Sequence, residues 1–334
     1  MAKFLIIRFS SIGDIVLTSP VVRCLKKQLA DSEIHFLVKD SFRSVVQHNP
    51  YIDKVHVLAH SWELMVEELK EEKYDYIIDL HHNARTLRLK RALTKGNQGV
   101  KEVHSFYKLN IQKYFYTAFK INVLPKIHIV DRYMRTVSSF GVKNDGAGLD
   151  YFISKEEETT LKDIPASHHA GYIACVIGAA LGTKQWPVHK WKAFCKEMNH
   201  PIILLGGPED RVNGDEIAAV DTIKVYNACG KFKLNESADL VRKSKLVITN
   251  DTGLMHIAAA YKKQIISLWG NTVPSFGMTP YYGYTPVSDV IMQVNKLWCR
   301  PCSKIGYKKC PLGHFKCMEK ITAEELVKRA GQRI

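Results

Sequence analysis

Carboxylates, hydroxyls and one lysine stand in this sequence where apolar runs give way to helical patterns. In "LIIRFSSIGDIVLTSPVV" a buried-strand pattern breaks at Arg8, passes Ser10, Ser11 and Gly13, and sets Asp14 just before the next apolar stretch. A strand, a short glycine-bearing turn and a helix N-terminus hold anionic or polar ligands in open parallel sheets. Asp14 either complements the helix dipole there or faces a substrate as a proton acceptor, and taken locally the dipole reading is the commoner one. The turn is not a dinucleotide fingerprint, because "SSIGD" holds one glycine where G-x-G-x-x-G needs three.

Three further turns have the same character. In "ITNDTGLMHIAAA" a strand ends at Asn250, Asp251 can cap the next helix, and Thr252 and Gly253 fill its first turn. Free backbone N–H groups there can hold a diphosphate, with His256 one turn on. In "GAALGTKQWP", Thr183 and Lys184 can bond and neutralise a phosphate, although the order is not that of a Walker A loop. In "LLGGPED" two glycines at a strand end precede Glu209, a carboxylate able to accept from ribose hydroxyls. The bland alternative at each is a capped helix with satisfied side chains.

The cysteines fall into two groups. Cys24, Cys175, Cys195 and Cys229 sit in apolar surroundings and read as core residues. Cys299, Cys302, Cys310 and Cys317 crowd into "CRPCSKIGYKKCPLGHFKC". Four thiols in one loop can close a structural zinc site, with His314 as a substitute ligand, or remain free.

The elements that position these turns alternate. "KFLIIRF", "EIHFLVKD", "KVHVL" and "YDYIIDL" read as strands, and "DIVLTSPVVRCLKKQL" as a helix that Pro20 kinks or is tolerated by. Ser41 and Ser61 suit N-caps. A Gly-, Asp-, Lys- and Ser-rich stretch from Gly141 marks a linker, with the boundary near Asp150. Beyond it the alternation resumes, and "TAEELVKRA" closes as a capped amphipathic helix. The expectation is an α/β chain of two doubly wound domains, at 1–150 and 151–318, facing a common cleft, with 319–334 as a terminal helix.

Composition narrows the partners. The 334 residues carry a net charge of +15, which suits polyanionic partners. No RNA-binding aromatic motif or zinc-finger spacing favours nucleic acid, and no run is long and apolar enough to span a bilayer. "MAKFLII" is interrupted too early for a secretory signal, so a reducing, cytoplasmic setting is expected. The densest basic run, "ARTLRLKRALTK", is either a solvated helix face or an anion grip.

"FSSIGDIVLTSPVV", "DLHHNART", "GTKQWP", "LLGGPED" and "ITNDTGLMHIAAA" stand in the order found in bacterial heptosyltransferases. Over nearly its full length the chain resembles the ADP-heptose:lipopolysaccharide heptosyltransferases of glycosyltransferase family nine. The resemblance implies a GT-B fold, with the acceptor on the first Rossmann-like domain, the nucleotide-sugar on the second, and the last helix packed back on the first. It implies inverting transfer without a catalytic metal or other cofactor, from ADP-heptose as donor to an acidic, phosphorylated lipopolysaccharide inner-core acceptor. Asp14 would be the general base, and Ser10, Ser11 and Gly13 would shape the acceptor side. Lys184, Thr183, Thr252 and Gly253 would hold the diphosphate, with Asp251 and His256 close by and Glu209 on the ribose. Arg85 and Arg88, with Lys90 and Arg91, would grip acceptor phosphates or rest on anionic lipid at the inner face of the cytoplasmic membrane. His82 departs from the glycine-bearing turn of many relatives, which in this resemblance implies an adapted acceptor choice, and the cysteine loop is a subgroup feature. The alternatives are a family-nine transferase of another sugar or glycan, or a non-catalytic nucleotide-binding or membrane-surface module. Oligomeric state is not legible.

Overall fold

The computed structural model describes residues 2–58, 61–96 and 99–334. In chain order the elements are β1 (Ala2–Ile7), α1 (Ile12–Val16), α2 (Ser19–Gln28), β2 (Ser32–Lys39), β3 (Lys54–Leu58), α3 (Trp62–Glu71), β4 (Tyr76–Asp79), α4 (Ala84–Thr94) and β5 (Glu102–Ser105). There follow α5 (Asn110–Phe119), α6 (Ile129–Met134), β6 (Ile173–Val176), α7 (Val188–Glu197), β7 (Ile202–Leu205), α8 (Arg211–Ala218), β8 (Val225–Asn227) and α9 (Leu234–Lys243). The chain ends through β9 (Leu246–Asn250), α10 (Gly253–Ala260), β10 (Ile265–Trp269), β11 (Val290–Gln293), α11 (Lys316–Glu319) and α12 (Ala323–Gly331).

Two compact units result. The first gathers 1–108, 127–152 and 281–285; the second gathers 109–126, 153–280 and 286–334. The first unit's sheet runs β3-β2-β1-β4-β5 and the second's β11-β10-β9-β6-β7-β8, with every recorded strand pair parallel. Both orders are Rossmann-like. Each reverses direction beside its first strand, between β1 and β4 and between β6 and β9, and the strand C-termini at such a reversal form a ligand crevice. Central strands such as β6, β7 and β9 are buried along their length, as parallel strands covered on both faces must be.

Several expectations are corrected here. The helical stretch after Asp14 breaks at Leu17–Thr18 into α1 and α2, with Pro20 in the first turn of the second, where its missing N–H costs nothing. Ser61 caps α3, but the segment after Ser41 is a 3-10 turn that Lys39 precedes. The presumed linker is tied down. Arg23, buried in α2, grips Asp145, Asp150 and the Gly148 carbonyl. Beyond the change of unit, Thr159 donates twice to the buried Asp239. The last helix does not belong to the first unit. α12 packs on α7, and its apolar stripe of Ala323, Leu326 and Ala330 joins the core of Trp186, Trp191 and Phe194 in the second.

Candidate functional site

In the first unit, Arg8 leaves β1 at the reversal point and is almost fully buried. Its guanidinium donates to the Leu80 carbonyl at the end of β4, to Tyr133 Oη at 2.9 Å and to the Ser10 carbonyl at 2.8 Å. Its remaining nitrogen pairs with Asp14 Oδ1 at 2.6 Å. Burial alone would lower this guanidinium's pKa, but Tyr133 and Asp14 more than offset that, so it stays charged. The other Asp14 oxygen accepts from Ser11 Oγ at 2.7 Å and from the Ser11 N–H at 3.3 Å. The structure gives Asp14 its local role at the helix start, and it leaves the side chain partly accessible. It closes the first turn of a five-residue helix, and it is a carboxylate fixed in one orientation with its side chain 22 % exposed.

His81 stands beside this pair, its ring 5.0 Å from that of Phe9. Burial, then the Arg8 and Lys108 cations, push its pKa down to about 4, so the ring is neutral at physiological pH. Neighbouring His82 turns away, its Nδ1 2.8 Å from the Phe106 carbonyl oxygen. On α4, Arg85 and Arg88 are exposed, and Arg88 lies 4.6 Å from the Trp62 ring centroid. Lys90 is not part of that surface. It is buried against Asp79 at 2.7 Å and Ser105 Oγ at 2.7 Å, an internal counter-charge.

In the second unit, Asn250 laces the reversal point together. Its amide donates to the Ile177 and Val176 carbonyls at the end of β6 and accepts from the Trp186 N–H. Asp251 follows, and its carboxylate meets Lys184 Nζ at 2.6 Å and Thr272 Oγ1 at 2.9 Å. Thr252 precedes α10 in extended conformation. Among the described residues its buried hydroxyl has no hydrogen-bond partner, and it stands at the start of α10, where the first-turn N–H groups have no intrahelical acceptor. His256, one turn on, is buried.

Thr183 departs from expectation. It is buried, and its hydroxyl donates to the Tyr307 carbonyl at 3.0 Å and accepts the Tyr307 N–H at 2.8 Å. A Cβ on Gly182 would meet the Lys308 carbonyl at 2.4 Å. The cysteine loop is thus clamped onto the turn that carries Lys184. Thr183→Val keeps the shape and deletes both hydroxyl bonds. It is expected to destabilise the fold by about 1–3 kcal/mol, as thermal unfolding would read.

Glu209 is exposed, while Asp210, which sequence reasoning passed over, is buried between the ends of β6 and β7. Asp210 accepts the Gly207 N–H at 2.9 Å, and burial raises its pKa. A Cβ on Gly178 would run into its Oδ2, and one on Gly206 would lie 2.7 Å from it, which explains the glycines in the turns that follow those strands.

The cysteine loop does not fit a preformed tetrahedral site. Among the described residues, the one His/Cys/Asp/Glu group whose ligand atoms lie within 4.8 Å of one another is His35, His56 and Glu72. Cys299 approaches His314 Nε2 at 3.8 Å, and burial raises the thiols of Cys302 and of Cys317, the latter to about 11. The loop is organised instead by Arg300, which donates to the carbonyls of Trp269, Gly270, Thr272 and Val294 and to Gln293. The His35–His56–Glu72 group is a closed polar network. Lys3 and Lys54 take the two Glu72 oxygens, Tyr74 bridges the rings, and Glu33 and Glu68 accept from their outer nitrogens.

Residues 62–313 match the glycosyltransferase family 9 (heptosyltransferase) profile. Lipopolysaccharide heptosyltransferase 1 of Campylobacter coli is 26% identical over 297 residues, covering 82% of this chain and 85% of that protein. The family 9 glycosyl transferase structure from Veillonella parvula superposes with a TM-score of 0.78 at 23% identity, covering 99% of this chain and 96% of that one. An E. coli heptosyltransferase solved with ADP gives 0.70 at 19% identity, covering 99% and 100%, and it has also been solved with ADP-2-deoxy-2-fluoro heptose. These likenesses give the GT-B fold, and the profile gives the lineage. The chain belongs to glycosyltransferase family 9, the heptosyltransferase family.

Proposed function

We propose that this protein transfers a heptose from ADP-heptose to an acidic, phosphorylated lipopolysaccharide inner-core acceptor, with inversion at the anomeric carbon. The observation that carries the reading is the pair of furnished reversal points, one holding the oriented Asp14 and the other Lys184, Asp251 and the open start of α10. In this mechanism Asp14 accepts the proton of the acceptor hydroxyl as its oxygen attacks the anomeric carbon, and the bond to the ADP oxygen breaks in line. Charge grows on the leaving diphosphate. Lys184 and the N–H groups at Thr252 and Gly253 are suited to meet it, already oriented before the bond breaks. Asp251 holds Lys184 in place, Glu209 reaches the ribose, and His256 lines the same turn. Ser10, Ser11 and Gly13 shape the acceptor side, where neutral His81 can donate or accept a hydrogen bond without adding charge. Arg85 and Arg88 meet acceptor phosphates. No helix among the described residues is long and apolar enough to cross a membrane, and the protein reaches its glycolipid from the cytoplasmic face as a peripheral visitor.

The identities of known relatives support the donor, since an E. coli heptosyltransferase was solved with ADP. The test is a substrate panel: ADP-heptose with a phosphorylated inner-core acceptor, against UDP- and GDP-sugars, with the product's anomeric configuration read by NMR. ADP-heptose alone is expected to turn over, with inversion and with a rate that a metal chelator leaves unchanged. Binding of UDP- or GDP-sugars in place of ADP-sugars would overturn the donor assignment, and retention of configuration would overturn the mechanism.

A further inference from the structure

Helix α5 is inside out. Ile111, Tyr114, Phe115 and Phe119 recur at i, i+3, i+4 and i+8, and they face solvent, with Ile111 64% and Phe119 58% exposed. Its half-buried face carries Gln112, Lys113, Tyr116 and Thr117, where the Tyr116 ring meets Phe276 edge-on and Lys113 Nζ sits 5.4 Å from the same ring. The outer rings pack on one another, Tyr114–Phe119 at 6.0 Å and Phe115–Phe119 at 5.7 Å, so they form one patch. Exposed Ile121 and Val123 extend it.

A second exposed strip adjoins. Lys120 Nζ donates to the Pro301 carbonyl at 2.9 Å, tying the end of α5 to the cysteine loop. There Trp298, Ile305, Tyr307 and Leu312 are exposed, interleaved with exposed Lys304, Lys308 and Lys309. Neither 109–126 nor 296–318 contains an Asp or a Glu.

We propose that α5 and the 298–312 loop of the second unit form a bilayer-docking face. The aromatic and aliphatic side chains enter the boundary between headgroups and acyl chains of an anionic phospholipid surface, and the lysines meet its phosphates. A contiguous apolar patch on this scale marks an interaction site. The chemistry favours lipid over protein. Protein interfaces deplete lysine at their centres, whereas interfacial anchors combine aromatic residues with lysines in this way. Each lysine near an anionic leaflet adds to the attraction. The inference rests on the membrane-borne acceptor for its purpose, and it assigns the contact to residues other than the α4 arginines.

The test is co-sedimentation of the full chain with vesicles of phosphatidylethanolamine and phosphatidylglycerol, with phosphatidylcholine vesicles as control. Phe115→Ser/Phe119→Ser is expected to weaken binding to the anionic vesicles by about tenfold or more. Lys304→Gln/Lys309→Gln is expected to weaken it severalfold and to flatten its salt dependence. Both variants should melt like the parent and transfer sugar to a water-soluble, acyl-free acceptor at the parent's rate. Parent-like vesicle binding by both variants overturns the proposal. So does a parent that ignores vesicles and self-associates through these phenylalanines, or a correctly folded Phe variant that loses soluble transfer, which would place the patch in the acceptor site. Vesicle binding that follows these variants while no heptose is transferred would uphold the docking face and overturn the functional reading instead.

Discussion

Asp14→Asn is expected to slow transfer by about 100-fold or more while ADP binds as before. The substitution is nearly isosteric, and the surroundings can accommodate it. The amide oxygen can still accept from Arg8, and the new N–H group can donate to Ser11 Oγ, which now donates to the carboxylate at 2.7 Å. What disappears is the capacity to take a proton, together with the acceptor for the Ser11 N–H. The ion pair also weakens, leaving a buried guanidinium with its Leu80, Tyr133 and Ser10 partners but without its charge partner. A modest fall in melting temperature should accompany the loss of rate. Initial rates with saturating ADP-heptose, beside calorimetric ADP affinity, separate the two effects. An unchanged rate removes Asp14 from the mechanism, and a lost ADP affinity would mean that the change is not local.

Lys184→Met is expected to reduce transfer by roughly 100- to 1,000-fold, the scale for removing one preorganised donor to developing charge. Unlike Asp14→Asn, it should also weaken ADP binding. Methionine matches the length of the aliphatic stem, so packing is largely kept. The ammonium is lost from the diphosphate, and Asp251, with its side chain 11% exposed, is left with Thr272 as its remaining side-chain partner. Asp251→Asn should then be less harmful in the Lys184→Met background than in the parent, because groups acting as one unit are not additive. Comparing ADP affinity and kcat across the four proteins of this cycle checks it, and strict additivity would separate the two residues.

Several strands of the second unit were legible because they are short apolar runs with glycine or proline beside them, such as "PIILLGG" and "QIISLWG". β5 was not, since "EVHS" is short, half-exposed and lacks an apolar core of its own. The break between α1 and α2 was hidden because the apolar periodicity continues across Leu17–Thr18, and only hydrogen bonding interrupts it. Asp14, Lys184, Asp251 and Thr252 could be picked out because strand-end turns are local features. Their supports could not. Tyr133 lies 125 residues from Arg8, and Tyr307 lies 124 from Thr183. Thr183 shows why: a Gly-Thr-Lys turn has the composition of a phosphate loop, and nothing nearby in the chain reveals that its hydroxyl meets the Tyr307 backbone. The last helix shows the same limit, because an amphipathic stripe says that a face is buried but not against what.

That long-range brace has a consequence for biosynthesis. The turn bearing Lys184 is written into the chain by residue 184, yet its hydroxyl clamp arrives with Tyr307, and the neighbouring Trp186 indole is tied to the Ile321 carbonyl. On the ribosome, every strand of the second sheet emerges before either partner does. The nascent unit can therefore collapse around its sheet while this turn is still unfinished, since such distant contacts close late. The Lys184 turn is thus completed only after every strand of the second sheet has been made, so its order lags behind that of the sheet it stands on.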